Sequence, residues 1–239
     1  MIRIDASEMD FVQLGEVLRA TEGDTDIRGC LGQRFIAAGM KERRVSIYGI
    51  PGNALGAYLD GATLEVLGNA QDAVGDTMNA GTIVVHGNIG DTAGYAMRGG
   101  EIYVKGNAGY RAGIHMKQYE DKVPVLVIGG KAGSFLGEYQ AGGLIIVLGL
   151  NGEEPIVSNF PCTGMHGGRL FLRSDCKDML FPSQVTVQPA AEADMVSIRP
   201  YLERFCTCFG YPLEEVLDSP FSVVTPDSRN PYTQMYVAN

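Results

Sequence analysis

The chain has 239 residues and a mass of 25.7 kDa, enough to bury a real core. Its 32 glycines stand well above the roughly 7% average, yet a 45% hydrophobic content excludes a glycine-rich disordered chain. A net charge of −9 and a pI near 4.8 argue against nucleic acid or an anionic membrane surface as a partner.

The first residues, MIRIDASEMD, do not read as a signal peptide. Residues 7–20 predict an amphipathic helix, with Ser7 as N-cap, Asp10 three residues on, and Phe11, Leu14 and Leu18 along one face. This helix and the chain up to Gly39 are expected to cover the first coil of a repeat, so 1–45 reads as an N-terminal cap.

From 46 to 174 the sequence repeats itself. Residues 68–86 (GNAQDAVGDTMNAGTIVVH) and 87–105 (GNIGDTAGYAMRGGEIYVK) share one pattern, and Gly68, Gly87 and Gly106 are 19 residues apart. Counting from the first glycine, another recurs at position eight (Gly75, Gly94, Gly113, Gly137) and another at position fourteen (Gly81, Gly100, Gly143, Gly168). Alternating apolar pairs come next: Ile83 and Val85, Ile102 and Val104, Leu126 and Ile128, Ile145 and Val147, Leu170 and Leu172. They predict strands with one buried face, interleaved with solvent-tolerant residues such as Thr82, Glu101 and Lys105. The phase survives an insertion of five residues around 119–122 and one of six within 153–161. With a shorter unit at 52–67, carrying Leu64 and Val66, six units are counted. Glycine suits the sharp turns, because left-handed backbone costs other residues about 1–2 kcal/mol. Constant glycine phase predicts stacked coils, a parallel β-helix, over an antiparallel meander or sandwich. At a coil spacing of about 4.8 Å, six coils give a rod of roughly 29 Å.

After Arg173 the repeat stops, and 175–239 reads as a C-terminal helical segment and arm. Residues 199–209 predict a helix with Leu202, Phe205, Cys206 and Phe209 on one face, and 213–218 a shorter one. The aperiodic end from Phe221 either packs on a partner or folds back on the coils.

A search for chemistry yields no catalytic, cofactor-binding or metal-binding set. Lys131 follows Gly130, but Val125 and Ala132 fill the glycine and hydroxyl slots of a P-loop. Glycines in every coil with no helix after them do not make a dinucleotide fingerprint. Cys206 and Cys208 would point apart on a helix, and Cys206 reads as a buried structural thiol. Cys30, Cys162 and Cys176 lack ligand spacing, and five cysteines do not suggest a disulfide framework. His86, His115 and His166 fall at different repeat positions. Cys162 four residues before His166 admits a nucleophile–base pair, against the plainer reading of a turn. Asp60, Asp72, Asp76 and Asp91 read as turn residues that bond nearby backbone. Residues 111–119 break the small-residue pattern at the first insertion. Arg111, His115, Lys117 and Tyr119 are the candidate partner-docking residues, against the plainer reading of a solvated loop. No run approaches the roughly 20 apolar residues of a membrane span, and the cytoplasm is the expected address.

The stretches GNAQDAVGDTMNAG (68–81), GDTAGYAMRGGEIYVKG (90–106), GYRAGIHMK (109–117), GSFLGEYQAGGLIIVLG (133–149) and GMHGG (164–168) resemble the GXGXG domain. The likeness is to the C-terminal domain of the glutamate synthase large subunit, in the form found as a free-standing chain. It is strong over about 25–175. The resemblance implies an all-β, right-handed, single-stranded parallel β-helix with short helical flanks. It also implies a noncatalytic role, spacing a class II glutamine amidotransferase from a synthase part that carries FMN and iron–sulfur clusters. Such a complex makes glutamate from glutamine and 2-oxoglutarate, with no cofactor on this chain. Subunits of formylmethanofuran dehydrogenase and N-methylglutamate synthase share the repeat and are the alternative settings. Exposed solenoid ends are also compatible with a homo-oligomer.

Overall fold

A computed structural model describes residues 2–227. The strands are β1 (Ile2–Asp5), β2 (Thr25–Leu31), β3 (Arg44–Ile50), β4 (Asp60–Val66), β5 (Ala80–Val85), β6 (Glu101–Val104), β7 (Val125–Ile128), β8 (Ala141–Val147), β9 (Gly167–Leu172), β10 (Val185–Pro189) and β11 (Ser222–Pro226). Three helices, α1 (Phe11–Ala20), α2 (Glu192–Phe209) and α3 (Leu213–Leu217), accompany them. β1 to β9 pair in parallel in chain order, each one coil beyond the last. The fold is therefore the expected parallel β-solenoid.

Register follows the repeat. Leu64, Ile83, Ile102, Leu126, Ile145 and Leu170 lie side by side across both insertions. These residues and their partners two positions on are fully buried inside the coil. A second interior line of parallel bridges joins Ala70, Ile89, Ala108, Ala132 and Val157.

The turn edge is built from alternating left-handed residues. Its middle column runs Ala37, Gly56, Gly75, Gly94, Gly113, Gly137 and Cys162, with φ between +57° and +71°. Each N–H in this column after the first donates to the preceding coil, as Gly94 N does to Val74 O at 2.8 Å. The left-handed residues on either side donate to the next coil, as Thr92 N does to Tyr110 O at 2.7 Å and Ala96 N to Ile114 O at 2.9 Å. Coils are thus bonded in both directions at the turn, which satisfies the turn amides without side chains.

This column shows seven coils, one more than the six units counted. The extra coil lies in the segment expected to be only a cap, where Ala37 replaces the glycine that marks the others. β1 and β2 both belong to the ladder. Within that segment α1 does cover the end: Leu14 and Leu18 pack into the interior beside Ile4, Ala6 and Ile27. Its cap is Asp10, not Ser7. Asp10 accepts from Val12 N and Gln13 N at 2.8 Å, Gln13 bonds back to Asp10 N, and Ser7 instead donates to Asp5.

β4 keeps the expected single buried face, but from β5 to β9 the strands bury residues on both faces. Outward residues Val84, Tyr103, Val127, Ile146 and Phe171 form a second core under Ile198, Leu202, Phe205 and Cys206 of α2 and Val216 of α3. Arg204 of α2 pairs with Glu101, which also accepts from Tyr103 Oη at 2.9 Å. Chain beyond the repeat therefore covers a side of the solenoid. β11 folds back and pairs antiparallel with β9, and β10 pairs with β11 at the sheet's end. Of the expected C-terminal arm, residues 228–239 lie outside the described residues.

Of the four turn acids, Asp76 bonds locally, to the Thr77 hydroxyl, and Asp60 pairs with Lys41, but the expected local role changes for Asp72 and Asp91. Asp72 Oδ1 accepts from Asp91 N at 2.9 Å, and Asp91 Oδ1 from Tyr110 N at 2.8 Å, each one coil on. Asn69, Asn88 and Asn107 do the same for Asn88, Asn107 and Lys131, each at 2.8 Å. These side chains sew one coil to the next.

Candidate docking surface

The four candidate docking residues fall into two groups. Arg111 and His115 are not in the insertion: they flank Gly113 as the outer left-handed residues of a regular turn, with φ +57° and +54°. An outer residue of this turn carries its side chain away from the coil interior, so each coil adds one rung to an external column.

Two such columns are aromatic in the later coils. The Arg111 guanidinium lies 4.8 Å above the Phe135 ring, and Phe135 stacks on Phe160 at 5.3 Å. Beside them, Tyr95 meets the His115 ring edge-on at 5.9 Å, and His115 stacks on Tyr139 at 5.3 Å with planes 7° apart. Arg111 Nε pairs with Glu138 at 2.9 Å between the columns, fixing the guanidinium over its ring. Fixed aromatic and arginine side chains on an exposed edge lose little entropy when a protein partner covers them.

Lys117 and Tyr119 sit around the next corner. Only Tyr119 belongs to the insertion, where it forms a small antiparallel bridge with Lys122 and is half exposed. Lys117, Gln118 and Glu120 line an open polar hollow of about 820 Å³ with His166, Gly142, Gly168 and Asp227. The insertion thus makes one wall of a hollow, and the aromatic edge lies apart from it along the coil.

The sequence reading missed Tyr95, Phe135, Tyr139 and Phe160. A signal was present: 111, 135 and 160, like 115 and 139, are equivalent positions once the insertions are subtracted. Because the residue types change along each column, letter identity does not reveal it.

The thiols do not form a reactive site. Cys162 occupies the middle turn column, is fully buried, and burial drives its thiol up to about 12. A nucleophile must be accessible and readily ionised, so the Cys162–His166 pair is excluded as a hydrolytic centre. His166 turns to the backbone instead, with Nδ1 3.0 Å from Gly164 O. Burial likewise raises Cys30 to about 11 and lifts Cys176, Cys206 and Cys208 above the ordinary thiol range. Among the described residues, no three His, Cys, Asp or Glu side chains converge as metal ligands, and no helix is long and apolar enough to cross a membrane.

Comparison with known proteins gives two results. The GXGXG motif family matches residues 12–226. The chain is also similar to a Methanocaldococcus jannaschii protein described as uncharacterized protein MJ1350, at 44% identity over 248 residues, covering 98% of this chain and 95% of that protein.

Proposed function

The chain belongs to the GXGXG motif family, and from that premise we propose that it is a noncatalytic scaffold subunit of a glutamate synthase-type complex. In this reading a class II amidotransferase subunit releases ammonia from glutamine. A second subunit, carrying FMN and iron–sulfur clusters, uses it to aminate 2-oxoglutarate reductively. This chain brings no cofactor; it spaces and docks the two in the cytoplasm.

Family membership carries the proposal. Its physical support is stiffness: coils bonded in both directions at the turns and sewn by Asn and Asp side chains hold their edges at fixed separations. The fixed aromatic and arginine side chains of the turn edge give a partner a preformed surface.

The test is affinity capture of the chain from native extract, with mass spectrometry and flavin and metal analysis of the eluate. An amidotransferase and a flavin/iron–sulfur chain are expected. A molybdenum or tungsten enzyme would move the chain to the formylmethanofuran dehydrogenase setting, and capture of neither would overturn the scaffold role. Reversing charge with Arg111→Glu and Lys117→Glu should release a partner while leaving the chain folded; retention would place docking elsewhere.

A further inference from the structure

The sheet has an open edge at β1, and its charges are self-complementary. β1 bonds to β2 on one side, and among the described residues no strand pairs with its other side. Ile2 N donates to Asp24 O at 2.8 Å, and Ala6 N donates to Arg28 O at 2.7 Å. Successive residues of a strand turn their N–H and C=O groups to opposite sides. Ile2, Ile4 and Ala6 therefore face β2, while the N–H and C=O of Arg3 and Asp5 point out from the edge. Ile2, Arg3 and Asp5 are exposed. An unpaired edge of this kind is a template for another strand.

Charge selects the strand and the register. Antiparallel strands bond through residues that face each other and exchange both N–H and C=O. For two copies of β1 the registers are Arg3 on Arg3, Asp5 on Asp5, or Arg3 on Asp5. The first two set like charges directly opposite, which destabilises the pair. The third puts a two-fold axis at Ile4, so that Arg3 and Asp5 exchange backbone bonds on both sides of it. Their side chains then lie opposite on the outer face. Arg3 forms no ion pair among the described residues. Asp5 commits only Oδ1, to Ser7 N and Oγ. On the inward face Ile2, 45% exposed, falls opposite Ala6 of the other copy. Two copies at −9 each repel, and this register compensates charge at the contact itself. The sheet's other end, β10 (VTVQP), has no charge to choose a register, and its Pro189 has no N–H to give.

We propose that β1 is the two-fold interface between two copies of the chain, joined antiparallel across Ile4 with Arg3 of each paired to Asp5 of the other. The two solenoids then meet end to end, and the aromatic turn edge of the later coils stays open to a different partner. Pairing of this kind does not depend on the scaffold role: a monomer would overturn the pairing and leave that role untouched.

The experiment is sedimentation of the full chain and of two variants, Arg3→Asp and Asp5→Lys, from about 1 to about 100 µM, since self-association is read from its concentration dependence. Wild type should reach twice the chain mass of 25.7 kDa. Each variant alone sets like charges opposite on both sides of the axis and should associate on the order of tenfold more weakly. Mixed in equal amounts, the two variants should associate again, because every contact across the axis then joins opposite charges. Arg3→Asp changes an exposed side chain without an ion pair, so it should melt like wild type and carries the test even where Asp5→Lys, which loses the Ser7 bonds, does not fold. A wild type at the single-chain mass throughout, an Arg3→Asp variant that associates as strongly as wild type, or two folded variants that stay apart when mixed would overturn the proposal.

Discussion

The two phases of repeated glycine look alike in sequence and fail differently in space. At the turn, Gly94 has φ +67°, and an added Cβ would meet nothing nearer than 3.8 Å. At Gly75 and Gly113 it would meet the tip of an isoleucine in the next coil, which can rotate away. At the corner before the strand, a Cβ on Gly81 would lie 2.3 Å from Ala62 O, and one on Gly143 2.5 Å from Pro124 O. Backbone of the preceding coil cannot move without breaking the ladder. The turn is limited by conformation and the corner by stacking. The turn column accordingly accepts Ala37 and Cys162 with φ near +60°.

That contrast is open to direct attack. Gly81→Ala should cost about 3 kcal/mol or more, combining overpacking with a left-handed strain, as read by chemical denaturation. Gly94→Ala should cost only the conformational part, about 1–2 kcal/mol. Equal costs would erase the distinction between the two columns. Asn88→Ala should cost about 1 kcal/mol through loss of its bond to Asn107 N. A Cβ on Gly106 would sit 2.2 Å from Asn88 Oδ1, so Gly106→Ala should hurt less in the Asn88→Ala background. Strict additivity would mean that side chain and glycine are not interlocked.

The smallest effect lies where no glycine is involved. On the outer sheet face Glu65 accepts from Arg44 at 2.6 Å and from His86 at 3.1 Å. Partial burial alone would raise its carboxyl, but these two partners outweigh it and hold it below the ordinary range. A depressed folded value means stability that is present above the unfolded value and lost as pH falls through the folded one. Glu65→Gln should therefore flatten the acid limb of the pH–stability curve. An unchanged limb would show that the pair contributes nothing, as many exposed pairs do.

Legibility tracked distance along the chain. The strand phases and inward residues were readable because each coil imposes the same local requirement every 19 residues. The first coil was missed because Ala37 bears the left-handed cost that elsewhere selects glycine. The docking residues were half readable. Arg111 and His115 stood out by size, but their neighbours in the stack are 20 or more residues away: Tyr95, Phe135 and Tyr139. Their alignment depends on where each insertion leaves the coil.

The sequence by itself determined the period, the inward faces of the strands and the stacking of coils, because backbone sterics and burial act within a single repeat. Tertiary structure alone decided which outward faces are covered. Val84, Tyr103 and Val127 became core only when α2, some 100 residues later for Tyr103, lay across them. It also decided that Asn and Asp side chains bond the next coil's backbone. A side chain does not encode its partner when the competing partner, its own turn, is equally close until the coils stack.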